Sequence, residues 1–153
     1  MKFCVVVGIL CLAAAGCTPS LPFMVVSPAP SEAQGARLPS DVMNAAAVTP
    51  RDGAGAIVVT RDKGWLGRGC TYDVALDDQT VAGLRTGEQV TLYADPGERI
   101  VAISVRGEGK CDPAVAQFAV EVVPHATNKV RVGANATHDL KVEVNSYGGA
   151  LPQ

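Results

Sequence analysis

The sequence predicts an all-β fold: a small antiparallel β-sandwich of about seven or eight strands behind N-terminal extensions. Three observations carry this. From Ala56 onward apolar residues recur with period two, the spacing that puts them on one face of a strand. Turn-forming residues return about every 8–12 positions. No stretch holds the helical period long enough for an ordinary helix.

The strands follow in order. Ala56 to Thr60 is a β-branched run. In the next, Tyr72, Val74 and Leu76 alternate with Thr71, Asp73 and Ala75, and Asp77-Asp78 makes a tight turn into Gln79 to Leu84. Thr86-Gly87 separates that strand from Glu88 to Tyr93, where Val90 and Leu92 share a face. Asp95-Pro96-Gly97-Glu98 is a turn, because proline presets φ at its second position and glycine accepts positive φ. Ile100 to Arg106, Val115 to Val123, Asn128 to Val132 and Leu140 to Asn145 complete the set. The domain is expected to span 55–145, with 146–153 as a tail.

Composition bounds the function. With 48% hydrophobic and 18% charged residues the chain can fill a core. The formal charge is −2; losing residues 1–16, whose only charge is Lys2, takes one from the 13 basic side chains, leaves 15 acids and makes it −3. That balance argues against a nucleic-acid partner, which needs a basic stripe, and gives no overall pull toward anionic lipid. Aromatic residues, at 5%, are too few for a stacking platform.

The N-terminus reads as a signal peptide over 1–16. Lys2 supplies a positive start, and Phe3 to Ala15 is a continuous apolar run of about thirteen residues, short of the roughly 18–20 that span a bilayer. Ala14-Ala15-Gly16-Cys17 resembles the lipobox of bacterial lipoproteins, with Ala14 where leucine is commoner. The resemblance implies cleavage after Gly16 and acylation of Cys17, a palmitate-type anchor in the membrane. Two or more acyl chains hold a protein stably where one does not. Thr18, rather than aspartate, after the cysteine implies the outer membrane, on its periplasmic side.

Residues 17–54 are expected to form the lipidated end and a tether, since Pro19, Pro22, Pro28, Pro30, Pro39 and Pro50 forbid a continuous helix. Within it, Ser40-Asp41 is placed to cap a short helix over Val42 to Ala47, and Phe23 to Val26 is the one patch able to pack on the domain. With Cys4, Cys11 and Cys17 spent on export and anchoring, Cys70 and Cys111 remain, an even number that predicts one disulfide in an exported domain. Closing a loop of that length adds about 4 kcal/mol. A redox or metal pair is the weaker alternative, because no CxxC spacing or histidine interval completes it.

A second resemblance lies in the body. Arg61, Gly67, the run Gly69 to Asp78, Gly87-Glu88 and Pro96-Gly97-Glu98 are similar to the pattern of small envelope lipoproteins related to the DUF2846 and PEGA-like β-sandwich domains, over about Ala56 to Val144. The pattern runs from a strand ending in arginine through a glycine loop to a Tyr-x-Val-x-Leu-Asp strand. It implies a fold and no activity; Cys111 fits members that carry a disulfide, and Asp77-Asp78 stands where Asp-Gly is commoner.

The residues offer no catalytic set, and neither cofactor nor metal is expected. His125 and His138 read as surface histidines, Ser104 lacks an elbow around it, and Asp77-Asp78 reads as a solvated turn. Asn135-Ala136-Thr137 is a sequon without meaning for a bacterial lipoprotein, and Gly107-Glu108-Gly109 is too short and too acidic to cradle phosphate. The feature of most interest is the stretch from Arg61 to Gly69. It holds the only tryptophan among basic residues, and Arg61, Lys63, Trp65, Leu66 and Arg68 form a candidate partner-binding loop. The plainer expectation is that Trp65 and Leu66 fold back over an open end of the sandwich near Cys70. The function expected is a lipid-anchored, non-enzymatic binding or structural module in the periplasm, with its loop held out from the membrane toward an envelope protein. The alternative is an inhibitor or immunity protein that blocks an envelope hydrolase or toxin.

Overall fold

The computed structural model describes residues 37–109, 111–135 and 139–146. Cys17 with its signal segment, Phe23 to Val26, His138, most of the sequon and the end of the tail lie outside the described residues. Nine strands form two packed sheets: β1 (Asp41–Val42), β2 (Gly55–Arg61), β3 (Thr71–Leu76), β4 (Gln79–Leu84), β5 (Gln89–Ala94), β6 (Gly97–Arg106), β7 (Val115–Val122), β8 (Thr127–Ala134) and β9 (Leu140–Ser146). One sheet has the order β1-β4-β3-β6-β7 and the other β5-β2-β8-β9. Neighbours run antiparallel except β2 and β8, which are parallel. The all-β sandwich predicted from periodicity is therefore present, with one parallel pairing and one extra strand.

The core lies between the sheets and is built from the period-two residues. Ile57 and Val59 of β2 meet Val130 and Val132 of β8, Tyr72 and Val74 of β3, Val101 and Ile103 of β6, and Val120 and Val122 of β7. β2 lies between β5 and β8 and is buried almost from end to end, on its outer face too. This explains why its sequence is a continuous apolar run rather than an alternation. Both residues of the Asp77-Asp78 turn have positive φ, +46° and +64°. That is the type I′ geometry a two-residue hairpin wants, reached with aspartate where glycine is usual. Gly97 has φ +118°, as the turn there requires, but β6 starts at Gly97 rather than at Ile100 because Gly97, Glu98 and Arg99 already pair with Val122, Glu121 and Val120.

Residues 37–54 do not behave as a spacer. Asp41–Val42 pairs with Gly83 and Ala82 of β4, and no helix starts at Asp41. The reason is the unpaired edge of β4. A bulge there leaves Val81 as an extra residue between Thr80 and Ala82, and its carbonyl accepts from the backbone amides of Met43 and Asn44 at 2.8 and 3.2 Å. Instead of a helix capped by Ser40-Asp41 there is a 3₁₀ turn, Ala46–Val48, ahead of which the Asn44 side-chain oxygen accepts from the amides of Ala46 and Ala47. Ala47 and Val48 pack on the core. Arg106 of β6 crosses the outer face of the sheet to bridge Asp73 (2.6 Å) and Asp41 (3.0 Å). It passes over Gly83, where a Cβ would stand 3.1 Å from its guanidinium.

Strand polarity divides the molecule into two ends. The β2–β3, β4–β5, β6–β7 and β8–β9 connections lie at one end, here the Trp65 end. The Asp77-Asp78, Asp95-Pro96 and Pro124-His125 turns lie at the other.

Candidate functional site

The β2–β3 connection, residues 62–70, is the longest at the Trp65 end and is fastened at its base. Arg61 does not project from it. The side chain turns inward and is 2% exposed. One terminal nitrogen donates to the carbonyls of Cys70 and Leu84, both at 2.7 Å, and the other to the carbonyl of Gly67 at 2.6 Å. Its guanidinium also lies 3.9 Å from the centre of the Tyr72 ring, at cation–π distance. Burial makes this cation easier to deprotonate than an ordinary arginine, offset by Tyr72 and Glu88, and the same burial makes the Tyr72 phenol harder to ionise. Five donors in a planar fork let one arginine tie three chain segments together, which lysine cannot do. Arg61 is thus a fastening of the loop and is not open to a partner, a correction to its place in the candidate set.

Two further fastenings act on the same loop. Cys70 and Cys111 form the predicted disulfide, with Cα atoms 5.5 Å apart across a separation of 41 residues, and join the β2–β3 and β6–β7 connections. Gly67 takes φ +66°, and a Cβ there would stand 3.3 Å from the Tyr72 hydroxyl, so glycine is needed where the loop turns over the ring. Asp62 is drawn inward as well. It is 7% exposed and accepts from Arg131 at 2.8 Å, and Arg131 and Lys141 in turn meet Glu143 at 3.8 and 2.7 Å. Burial raises the Asp62 carboxyl above the usual aspartate range, against the opposing pull of Arg131.

What this fastened loop presents is Trp65. The indole is 72% exposed, so the expectation that it folds back over the end of the sandwich is not met. Leu66 is half-buried, and Lys63 and Arg68 are exposed on either side. The structure brings other residues to the same place that no local pattern marks. Arg37 pairs beside Glu88: its amide donates to Gly87 and its carbonyl accepts from Gln89. A Cβ on Gly87 would stand 3.0 Å from the Lys63 side chain, so the two segments touch. Leu38 follows and is 85% exposed, and Arg85 is exposed in the same β4–β5 turn. The acid of that turn is hidden: Glu88 is 7% exposed and accepts from the Arg85 amide at 2.7 Å.

The cavity bounded by Asp62, Arg131, Gly133, Lys141 and Glu143 is about 10 Å³, room for one water. Wider hollows lie at the other end, one along Asp78, Ile100 and Phe118 and one between Asn44 and Tyr93, both open to solvent. His125, in its loop with φ +58°, lines neither, and Ser104 sits near the end of β6, two residues before Arg106.

No family model matches this chain, and neither curated proteins nor solved structures include a match to it.

Proposed function

We propose that this chain is a lipid-anchored, non-enzymatic protein of the bacterial cell envelope, and that the Trp65 end is its contact surface. The lipobox-like Ala14 to Cys17 supports the anchor and the address, with Thr18 favouring the outer membrane. The observation that carries the contact surface is an exposed tryptophan on a loop held by a buried arginine and a disulfide. An exposed indole on a free loop loses conformational entropy when it binds; one on a fastened loop has already lost most of it in folding. Fastening of this kind is consistent with binding. The resemblance to DUF2846 and PEGA-like domains supports the reading through fold alone.

A second reading, an inhibitor or immunity protein whose loop plugs the cleft of an envelope hydrolase or toxin, is favoured by the same rigidity.

The test is photo-crosslinking in living cells. A photoreactive side chain at position 65 is expected to form adducts with envelope components, lipid or protein, that one at position 52, at the other end, does not form. Equal labelling at the two positions, or none at 65, overturns the contact surface. Acyl labelling of Cys17, lost in Cys17→Ser with accumulation of precursor, tests the anchor separately.

A further inference from the structure

We infer that the Trp65 end faces lipid: it lies against the anionic headgroups of the bilayer that holds the chain. Trp65 and Leu38 sit at headgroup depth, and Arg37, Lys63, Arg68 and Arg85 face the phosphates. This deepens the contact-surface reading and rests on it for the choice of surface.

The first support is the direction of the chain. The described domain begins at Arg37, and Arg37 is bonded to Gly87 and Gln89 at the Trp65 end. Only then does the chain run along β4 to the far end, where β2 begins at Gly55. Nineteen residues, 18 to 36, separate Cys17 from that point. An acylated Cys17 would be joined through these residues to Arg37, which is bonded at the Trp65 end. The inference takes the opposite orientation to a loop held out from the membrane.

Charge is the second support. The chain is acidic overall, yet four exposed cations from three segments share this end with the tryptophan: Arg37, Lys63, Arg68 and Arg85. The two acids among them are withdrawn, Asp62 onto Arg131 and Glu88 onto the Arg85 amide. The exposed acids of this end, Glu108, Asp112 and Asp139, belong to the β6–β7 and β8–β9 connections on the other side of it. The end is therefore divided, and only its β2–β5 side suits an anionic surface. That fixes a tilt, with the β7 and β9 side raised.

The third support is the kind of apolar surface. Trp65 and Leu38 are both strongly exposed, 72% and 85%, and share their end of the domain with exposed cations. An amphipathic indole flanked by basic residues is the composition that settles at a membrane–water interface.

The chain's single tryptophan makes position 65 its own reporter. The protein purified from the envelope is added to vesicles of phosphatidylethanolamine with phosphatidylglycerol, and to vesicles of phosphatidylcholine, each with and without bromine on the upper acyl chain. On phosphatidylglycerol vesicles Trp65 emission is expected to shift to the blue and to be quenched by the brominated lipid, with both effects reduced by salt. Lys63→Gln and Arg68→Gln are each expected to move the contact equilibrium about fivefold toward the free state. In the double variant Trp65→Phe/Asp52→Trp, the reporter at the far end is expected to stay unshifted and unquenched. Solvent-like, unquenched Trp65 emission on phosphatidylglycerol vesicles overturns the inference, as does equal quenching at position 52. A protein adduct at position 65 in cells without lipid quenching overturns it in favour of a protein partner. The mass of the N-terminal peptide reads the anchor independently. Acylated but unquenched protein leaves the anchor standing and the lipid contact refuted; quenched but unacylated protein does the reverse.

Discussion

The two ends of this sandwich are built from the same strands but solve different problems. At the far end two exposed arginines pair with turn acids, Arg99 with Asp77 at 3.2 Å and Arg51 with Asp95 at 3.2 Å, and Asp77 also accepts the Ile100 amide. Its hairpin connections, at Asp77-Asp78 and Asp95-Pro96, are two-residue turns. On the β2–β5 side of the Trp65 end Asp62 is paired and Glu88 is buried, the cations are left outside, and a nine-residue loop is fastened from within. Exposed ion pairs at the far end contribute little to stability. The buried arginine and the disulfide at the other end contribute far more, and what they hold in place is an exposed indole that adds little to the fold. Stability is thus concentrated beneath the one surface that stability alone does not explain.

The contrast can be broken at its strongest point first. Replacing Cys70 and Cys111 by serine is expected to cost about 4 kcal/mol in urea unfolding, from the freed loop of 41 residues. Amide exchange should quicken across residues 62–70 and remain unchanged at 77–78. Arg61→Met is expected to cost about 3 kcal/mol, since the carbonyls of Cys70, Leu84 and Gly67 lose their donor in a dry site. At the far end, Asp78→Gly is expected to raise stability by about 1 kcal/mol, because glycine accepts the +64° φ that aspartate tolerates at a cost. Emission from Trp65 should not change with it.

Asp62 gives a pH test of the charge arrangement. Its carboxyl is held above the usual range by burial, so between the ordinary and the raised value the native state binds the proton more tightly than the unfolded chain. Asp62 therefore adds stability as pH falls through its raised value and subtracts it as pH rises. Unfolding midpoints across the acid range should follow that slope, and Asp62→Asn should remove it. The smallest effect belongs to Trp65→Ala, which is expected to change stability by no more than about 0.5 kcal/mol while abolishing contact.

Much of the fold was legible because its signals are local. Alternation along 71–76 and 89–94, the Asp77-Asp78 and Pro96-Gly97 turns, and the even pair of cysteines each depend on neighbours in sequence or on simple counting. Residues 37–54 were not legible as part of the domain, because proline content describes what the segment cannot do alone and says nothing of the β4 edge that recruits Asp41–Val42. Arg61 was misplaced for a related reason. Beside Lys63, Trp65 and Arg68 it has the look of another exposed cation, yet it ends a strand buried along its length, and its three acceptors come from positions 67, 70 and 84. Trp65 was recognised as the residue of interest, but its exposure follows from how the base of the loop is held. Arg37, Leu38 and Arg85 carried no local mark, since only the folded chain brings them beside the loop.

Hydrogen exchange read over the whole domain, with and without membranes from the envelope, compares the ends most directly. Added membranes are expected to slow exchange at residues 61–70 and 85–88 and to leave 77–78 and 95–96 as they were. Protection gained at the far end, or equally at both, would contradict the assignment of the Trp65 end as the surface through which this protein makes contact.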